Sequence, residues 1–278
     1  MPDCDNNCAA CGEDCPSRNG AQTDFHIKAN PLSNVKKVFA VVSGKGGVGK
    51  SMTASLLAVN ARRKGLNVAL IDADLTGPSI PKAFGISEMA TSDDTNLFPV
   101  RSRTGIETMS VNLLMEDPAA PVVWRGPVLS GLIQQFWKDV AYGDIDELYI
   151  DMPPGTGDVP LTVFQSLPID GIVVVTSPQE LVSLIVEKAV RMANMMNVPV
   201  LALVENMAYF DCPHCGDRLY PYGKGNEEEA KRLGIPFYAS LPIDPSLAKL
   251  CDSGDIESFE GDYLADLSEY LHSYEKAA

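Results

Sequence analysis

The sequence predicts an α/β fold: a doubly wound, mainly parallel sheet with helices on both faces. Three observations carry that prediction. Short apolar, largely β-branched runs recur at Val38–Val42, Val68–Ile71, Leu148–Ile150, Ile172–Val175 and Val200–Val204. Segments with helical spacing lie between them, at Met52–Lys64 and at about Leu181–Met196. The first apolar run also passes straight into a glycine-rich loop. Strands buried on both faces read as continuous apolar runs, and such a sheet is covered by helices above and below.

Taken in order, the first element is the Val38–Val42 strand, followed by the loop and by the Met52–Lys64 helix. Gly65 stands just past that helix, where a left-handed residue ends it. Val68–Ile71 is the second buried strand, and Asp72 and Asp74 follow it at the edge where parallel sheets bind ligands. Leu148–Ile150 is the next, closed by Asp151. The last two strands flank the Leu181–Met196 helix. There is no internal repeat and no low-complexity tract, so the core reads as one domain over residues 35–278.

Residues 1–34 stand apart. Cys4, Cys8, Cys11 and Cys15 sit among Asp, Asn, Gly and Ser with almost nothing apolar to bury, which reads as a flexible arm that orders around a ligand. The chain carries 22 Lys and Arg against 37 Asp and Glu, a formal net charge of -15. An anionic surface of that size repels nucleic acid and acidic lipid. The N-terminus has neither a basic region nor an apolar core of a signal peptide. No stretch approaches the roughly 18 apolar residues of a membrane span. These observations predict a cytoplasmic protein with no nucleic-acid or membrane partner. In that reducing compartment, 7 cysteines point to metal or redox chemistry rather than to disulfides.

Gly44-Lys45-Gly46-Gly47-Val48-Gly49-Lys50-Ser51 fits G-x-x-x-x-G-K-[ST] directly after a strand and before a helix, the setting in which the motif carries weight. Its glycines let successive N–H groups face phosphate oxygens, and the helix N-terminus adds positive potential. Lys50 is placed for the β- and γ-phosphates of ATP and the Ser51 hydroxyl for Mg²⁺. Met52 follows as the next residue of the nucleotide-binding stretch. Asp151 is in the Walker B position, holding Mg²⁺ directly or through water. Gly155 and Gly157 behind it make Asp151–Asp158 a movable switch. Each aspartate taken alone reads as a turn or helix-cap residue; beside a phosphate loop the balance reverses.

With Lys45 the loop resembles the deviant Walker A of the MinD, ParA and nitrogenase-iron-protein class. That resemblance implies a nucleotide-sandwich dimer in which Lys45 reaches the partner's phosphates. It implies that Asp74 orients the attacking water and that Asp72 helps hold the metal's water shell. Asn206 falls where this class reads the nucleotide base, although a turn asparagine is nearly as good a reading.

Cys212-Pro213-His214-Cys215-Gly216 follows the Val200–Val204 strand. A thioredoxin-like dithiol opens a helix, and Gly216, Pro221 and Gly223 break one. A zinc knuckle matches the wording but takes four ligands. Two chains donating one pair each supply four thiolates, for zinc or for a [4Fe–4S] cluster. His214 reads as a bystander and Cys251 as a small buried apolar residue. In the arm, C-x₃-C-x₂-C-x₃-C offers a complete ligand set within one chain, for either metal.

The phosphate loop, Asp72–Ser79, Trp124-Arg125-Gly126-Pro127, the Asp151–Asp158 string and the Cys212/Cys215 pair together resemble the Mrp/ApbC/Nbp iron–sulfur cluster carrier ATPases, from about Val35 to Pro245. The resemblance implies a slow ATPase and a homodimer holding a labile [4Fe–4S] cluster on Cys212 and Cys215. Apo iron–sulfur proteins are its implied clients, and a related scaffold subunit is a further candidate partner. The arm cysteines are spaced more tightly than those of the Nbp branch. From another class, a MinD- or ParA-like switch with structural zinc is the competing reading. The acidic tail, with Leu264, Leu267, Leu271 and Tyr274 at helical spacing, speaks against it, because that stripe suits docking on the protein's own core and not on anionic lipid. A nitrogenase-iron-protein-like electron donor also bridges a cluster between subunits.

Overall fold

In a computed structural model, the structure describes residues 26–74, 79–115, 126–155, 157–178, 182–223 and 225–276. The chain begins with strand β1 (Ser33–Ser43), helix α1 (Lys50–Arg63), β2 (Val68–Asp72) and α2 (Ile80–Ala83). Short strands β3 (Thr91–Ser92), β4 (Leu97–Phe98), β5 (Val100–Arg101) and β6 (Glu107–Ser110) lead to α3 (Gly126–Lys138). Then come β7 (Gly143–Asp151), α4 (Asp158–Ser166), β8 (Gly171–Thr176), α5 (Val182–Met195) and β9 (Val200–Asp211). The chain closes with β10 (Arg218–Leu219), α6 (Glu227–Arg232), β11 (Phe237–Pro242), α7 (Pro245–Ser253) and α8 (Ala265–Ser273).

The main sheet runs β10-β9-β8-β1-β7-β2-β6-β5, with β11 on β9. Pairing is parallel throughout its centre and antiparallel where β5 meets β6 and where β10 meets β9. The five central apolar runs and both long helices of the sequence reading are present. Gly65 is left-handed at φ 86° just past α1, as a helix-ending residue should be.

Alternation along β1 divides the core. Val38, Ala40 and Val42 join Ile133, Phe136, Trp137, Val163, Phe164 and Ala189 under α3, α4 and α5 on one face. Phe39 and Val41 join Leu56, Leu57, Ile80, Leu247, Leu267 and Leu271 under α1, α2, α7 and α8 on the other. Period-two strands thus feed two separate helix layers, the expected arrangement for a doubly wound sheet.

Two boundaries differ from the sequence reading. The folded domain starts before residue 35, because Ile27 donates its amide to Ser166 O at 2.8 Å and accepts Trp137 Nε1–H at 3.0 Å. Ile27 and Ala29 also pack on the core; isolated apolar residues in a polar stretch carry no periodic signal to reveal them. The last central strand does not stop at Val204 but continues as β9 to Asp211. There β11 and β10 supply partners that local composition could not announce. Cys4, Cys8, Cys11, Cys15, Trp124, Arg125 and residues 75–78 lie outside the described residues.

The C-terminal helix docks on the domain as its apolar stripe anticipates. Leu267 and Leu271 are fully buried, Lys37 Nζ donates to His272 O, and His272 Nδ1 meets the buried Glu147 carboxylate at 3.0 Å. Leu267→Ala should therefore cost about 2–5 kcal/mol by leaving a cavity between α1 and α8. The exposed Glu275→Gln should stay within about 0.5 kcal/mol. Urea unfolding checks both, and equal stabilities for the two variants would contradict the docking.

Candidate functional site

Because β1, β7 and β2 are parallel neighbours, their C-terminal ends lie side by side. Val41 pairs with Asp151, and Asp151 with Asp72. The loop leaving β1 therefore stands directly beside both carboxylates. It is tied down by its own backbone. Gly155 N–H donates to Ser43 O at 2.8 Å, and Ser43 Oγ donates to Lys45 O at 3.0 Å. Gly47 and Gly49 have φ of 78° and 86°, a region that glycine enters without penalty. A Cβ on Gly46 or Gly47 would meet nothing within 4 Å, so this stretch of backbone faces open space. The first turn of α1 holds no acidic residue and its Gly49 cap has no side chain. The positive end of the helix is left for an external anion.

Lys50 points back under the loop and is only 5% exposed. Its ammonium lies 2.6 Å from Asp151 Oδ1 and 3.4 Å from Asp74 Oδ2. One cation is thus shared by Asp151, which ends β7, and by Asp74, two residues beyond the end of the neighbouring β2. The second oxygen of Asp151 is buried with no hydrogen-bond partner. Burial pushes the Asp151 carboxyl up, and Lys50 and then Ser51 draw it back down. Burial pushes Asp72 up further, and the neighbouring Asp151 charge adds to that. Asp72 accepts from Asp74 N at 3.2 Å, Ile80 N at 3.3 Å and Ser110 Oγ at 3.3 Å. It anchors the segment that leaves β2. A hard oxygen-binding cation fits the orphaned Asp151 oxygen with the Ser51 hydroxyl beside it. Phosphates fit the open glycine cradle.

Asn206 lies inside β9, not in a turn after it. Its Nδ2 donates to Val48 O in the phosphate loop at 2.9 Å, and a Cβ on Gly49 would fall 2.1 Å from the same nitrogen. Lys45 and Met52 are half-buried at the loop's two ends.

The cysteine pair sits at the turn between β9 and β10, directly after the last residue of β9. Cys212 N–H donates to Asp217 O at 2.8 Å and Gly216 N–H to Cys212 O at 2.8 Å, with Gly216 left-handed at φ 77°. Cys212 and Cys215 are free thiols, half-buried and exposed. The main-chain N–H groups of Cys215 and His214 point at the Cys212 sulfur and, with the Cys215 thiol, hold its pKa below the usual range. Such N–H···S bonds favour the thiolate, the form that ligates metal. A short strand rather than a helix follows the pair, which excludes the thioredoxin-like dithiol reading. Arg218 stacks 3.8 Å over the Tyr209 ring and stiffens the hairpin. Cys251 is half-buried against the core and burial pushes its thiol up, as befits a packing residue. Among the described residues, no group of three or more His, Cys, Asp or Glu could hold a metal ion within the chain.

Sequence reasoning missed Glu205. It is fully buried and accepts from Asn226 N at 3.0 Å, from Asn226 Nδ2 and from the Tyr238 hydroxyl. A carboxylate in mid-strand beside Asn206 was the available signal.

A glycine-built phosphate cradle, a lysine beneath it and aspartates on adjoining strand ends define a P-loop nucleoside triphosphatase. Comparison with known proteins narrows this. The family model described as ParA: NUBPL iron-transfer P-loop NTPase matches residues 34–274, and the chain belongs to that family. An iron–sulfur cluster carrier protein of Methanocaldococcus jannaschii is 41% identical over 265 residues, 91% of this chain and 90% of that one. A mitochondrial iron–sulfur protein required for NADH dehydrogenase, from Arabidopsis thaliana, is 40% identical over 226 residues, 80% and 72% of the two chains. Among solved structures, the nucleotide-binding protein of Archaeoglobus fulgidus in complex with ADP has a TM-score of 0.76 at 42% identity, covering 87% of this chain and 94% of that one. The cell-division ATPase MinD of Pyrococcus furiosus, with a TM-score of 0.58 at 16% identity over 84% and 98%, shares the fold. No helix among the described residues is long and apolar enough to cross a membrane.

The buried charges give a stability test. Lys50→Met leaves Asp151 buried without its cation and should cost about 3 kcal/mol at pH 8. Losing the lysine raises the folded-state pKa of Asp151 further, and a raised carboxylate loses stability as pH climbs through it. The gap to wild type should therefore narrow at pH 5, where the proton replaces the cation. Denaturant melts at the two pH values measure it; a gap that widened on acidification would contradict the pairing.

Proposed function

We propose that this protein is an ATP-dependent carrier of [4Fe–4S] clusters that acts as a homodimer and delivers its cargo to apo iron–sulfur proteins. The observation that carries the reading is the hairpin knuckle. It presents Cys212 in a hydrogen-bonding frame that favours thiolate, with the exposed Cys215 thiol beside it, and the two offer half the ligand set of a [4Fe–4S] cluster. A second copy supplies the other half. The carrier names of the relatives support the same cargo.

At the nucleotide site, Lys50 takes the β- and γ-phosphates, and the 44–49 backbone cradles them. Ser51 and the unpartnered Asp151 oxygen would hold Mg²⁺, with Asp72 acting on its water shell. The ion would neutralise phosphate charge during transfer. The Lys50–Asp74 contact adds a control. An arriving phosphate competes for the lysine, so Asp74 is released to orient water only when nucleotide is in place. Lys45 reaches the partner's phosphates, and Asn206 faces the base. Cys4, Cys8, Cys11 and Cys15 form a second metal site within each chain.

Anaerobic reconstitution tests the cargo. Wild-type protein should take up about four irons per two chains more than the Cys212→Ser/Cys215→Ser variant, the content of one [4Fe–4S] centre on four thiolates. Equal iron in both, or zinc alone in protein purified without oxygen, would reject the cluster. Asp74→Asn should leave ATP binding intact and lower hydrolysis, whereas Lys50→Ala should abolish binding. An Asp74 variant that hydrolyses ATP at the wild-type rate removes its assigned role.

A further inference from the structure

The phosphate loop and the cysteine hairpin are parts of one strand's neighbourhood. Strand β9 pairs with β8 only as far as Glu205, opposite Thr176. Beyond that point it runs on as the arm that carries Cys212 and Cys215. Three consecutive residues at this junction each do something unusual for a strand.

Glu205, the first, is a fully buried carboxylate. It grips the Asn226 amide and side chain and the Tyr238 hydroxyl. The grip leaves no clearance: a Cβ on Gly225 would lie 2.2 Å from Glu205 Oε2 and 2.2 Å from the Tyr238 hydroxyl. The chain returning from the hairpin is thereby fixed to the sheet at one point. Asn206, the second, donates to Val48 O in the phosphate loop and abuts Gly49. Met207, the third, has φ 59°. Of the described non-glycine residues with positive φ, only Met207 lies within a strand. A side chain there is strained, and such strain is held in place by the surrounding structure. The ladder breaks at the same place. Between its pairings Ser240↔Glu205 and Pro242↔Tyr209, β11 advances two residues while β9 advances four. This is a bulge, which bends a strand and frees it from its neighbour's register.

We infer that Glu205, Asn206 and Met207 form a mechanical relay from the phosphate loop to the cysteine hairpin. Asn206 senses the loop through Val48, Met207 is the pivot, and Glu205 is the fixed point against which the hairpin turns. The inference deepens the proposed function and rests on it for the identity of the cargo. When nucleotide draws the loop's N–H groups onto its phosphates, the Val48 carbonyl turns with them. The Asn206 amide must follow or let go. Glu205 cannot move with it, because three donors hold its carboxylate. The displacement passes to Met207 and from there into Tyr209–Cys212, where no second parallel strand restrains β9. Glu205 and Met207 are positioning residues here; neither is assigned to touch nucleotide or cargo.

The readout is the rate at which iodoacetamide alkylates Cys212 in metal-free, full-length protein. It is followed by peptide-resolved mass spectrometry with and without saturating Mg-AMPPNP, at two protein concentrations. In wild type, nucleotide should change the rate roughly fivefold or more, the lower end of typical coupling between sites. The change should be the same at both concentrations. Asn206→Ala at saturating nucleotide should abolish it. Met207→Gly relieves the strained φ and should be at least as stable as wild type. It should bind nucleotide normally yet pass on less than about half of the change. A wild-type rate indifferent to nucleotide overturns the relay. So does a change that survives both substitutions, or one that grows with protein concentration, since that reports subunit association. Because no iron is present, failure of the iron measurement leaves this result standing, and failure here leaves the iron measurement standing.

Discussion

Everything at the nucleotide site depends on the buried contact between Lys50 and Asp151. Lys50 opens α1 and Asp151 ends β7, so this one pair fixes the start of the helix against the sheet. Neither charge is tolerable alone at that depth. A single unpaired buried ion costs several kcal/mol, and the attraction returns this only at close range. The 2.6 Å separation is therefore a requirement of the fold as well as a feature of the site. It also holds the lysine beneath the glycine loop, where a phosphate would meet it.

Much of this was legible in the sequence, and the remainder was not for identifiable reasons. The strands and helices of the core announced themselves because burial on both faces demands unbroken apolar runs. The phosphate loop and the strand-end aspartates were legible because position after a strand is itself the signal. What the sequence hid was pairing between distant segments. The continuation of β9 to Asp211 depends on β11 and β10, and nothing between Glu205 and Asp211 reads as an ordinary strand. The anchoring of Ile27 depends on a ring nitrogen of Trp137, more than a hundred residues away. That Lys50 is shared between Asp151 and Asp74 required the register of β2 against β7, which no local pattern encodes. Glu205 stood in plain view as a carboxylate in an apolar strand, yet only the folded chain shows the three donors that make its burial tolerable.

The charge balance of the site has a consequence of its own. Asp72, Asp74 and Asp151 converge on one buried lysine in a protein whose net charge is already -15. Nucleotide phosphates are anionic, and without a cation the loop's N–H groups and Lys50 would face them against three carboxylates. Two features lower that opposition. Burial disfavours the charge on Asp72 and Asp151, and Lys50 offsets it at Asp151. The unpartnered oxygen of Asp151 supplies a place for a divalent ion that would offset both carboxylate and phosphate. On these grounds nucleotide should enter together with its metal, since the same ion relieves the repulsion on both sides.

The cysteine hairpin is organised on the opposite plan. The N–H···S bonds to Cys212, the left-handed Gly216 and the Arg218–Tyr209 stack hold it in shape within a single chain. A knuckle braced in this way loses little entropy on binding a ligand. In the proposed dimer, a cluster shared between two such halves would be sensitive chiefly to their separation and mutual tilt. The internal geometry of either knuckle has little left to adjust. Under that proposal, control of retention would act on how the hairpins are carried relative to the domain bodies. In this chain the element that carries them is the distal part of β9, and its root is the bulge at Asn206–Ala208 beside the phosphate loop. Stiffness at the knuckle and irregularity at its root are complementary: the first preserves affinity, and the second is where a nucleotide-driven change has room to act.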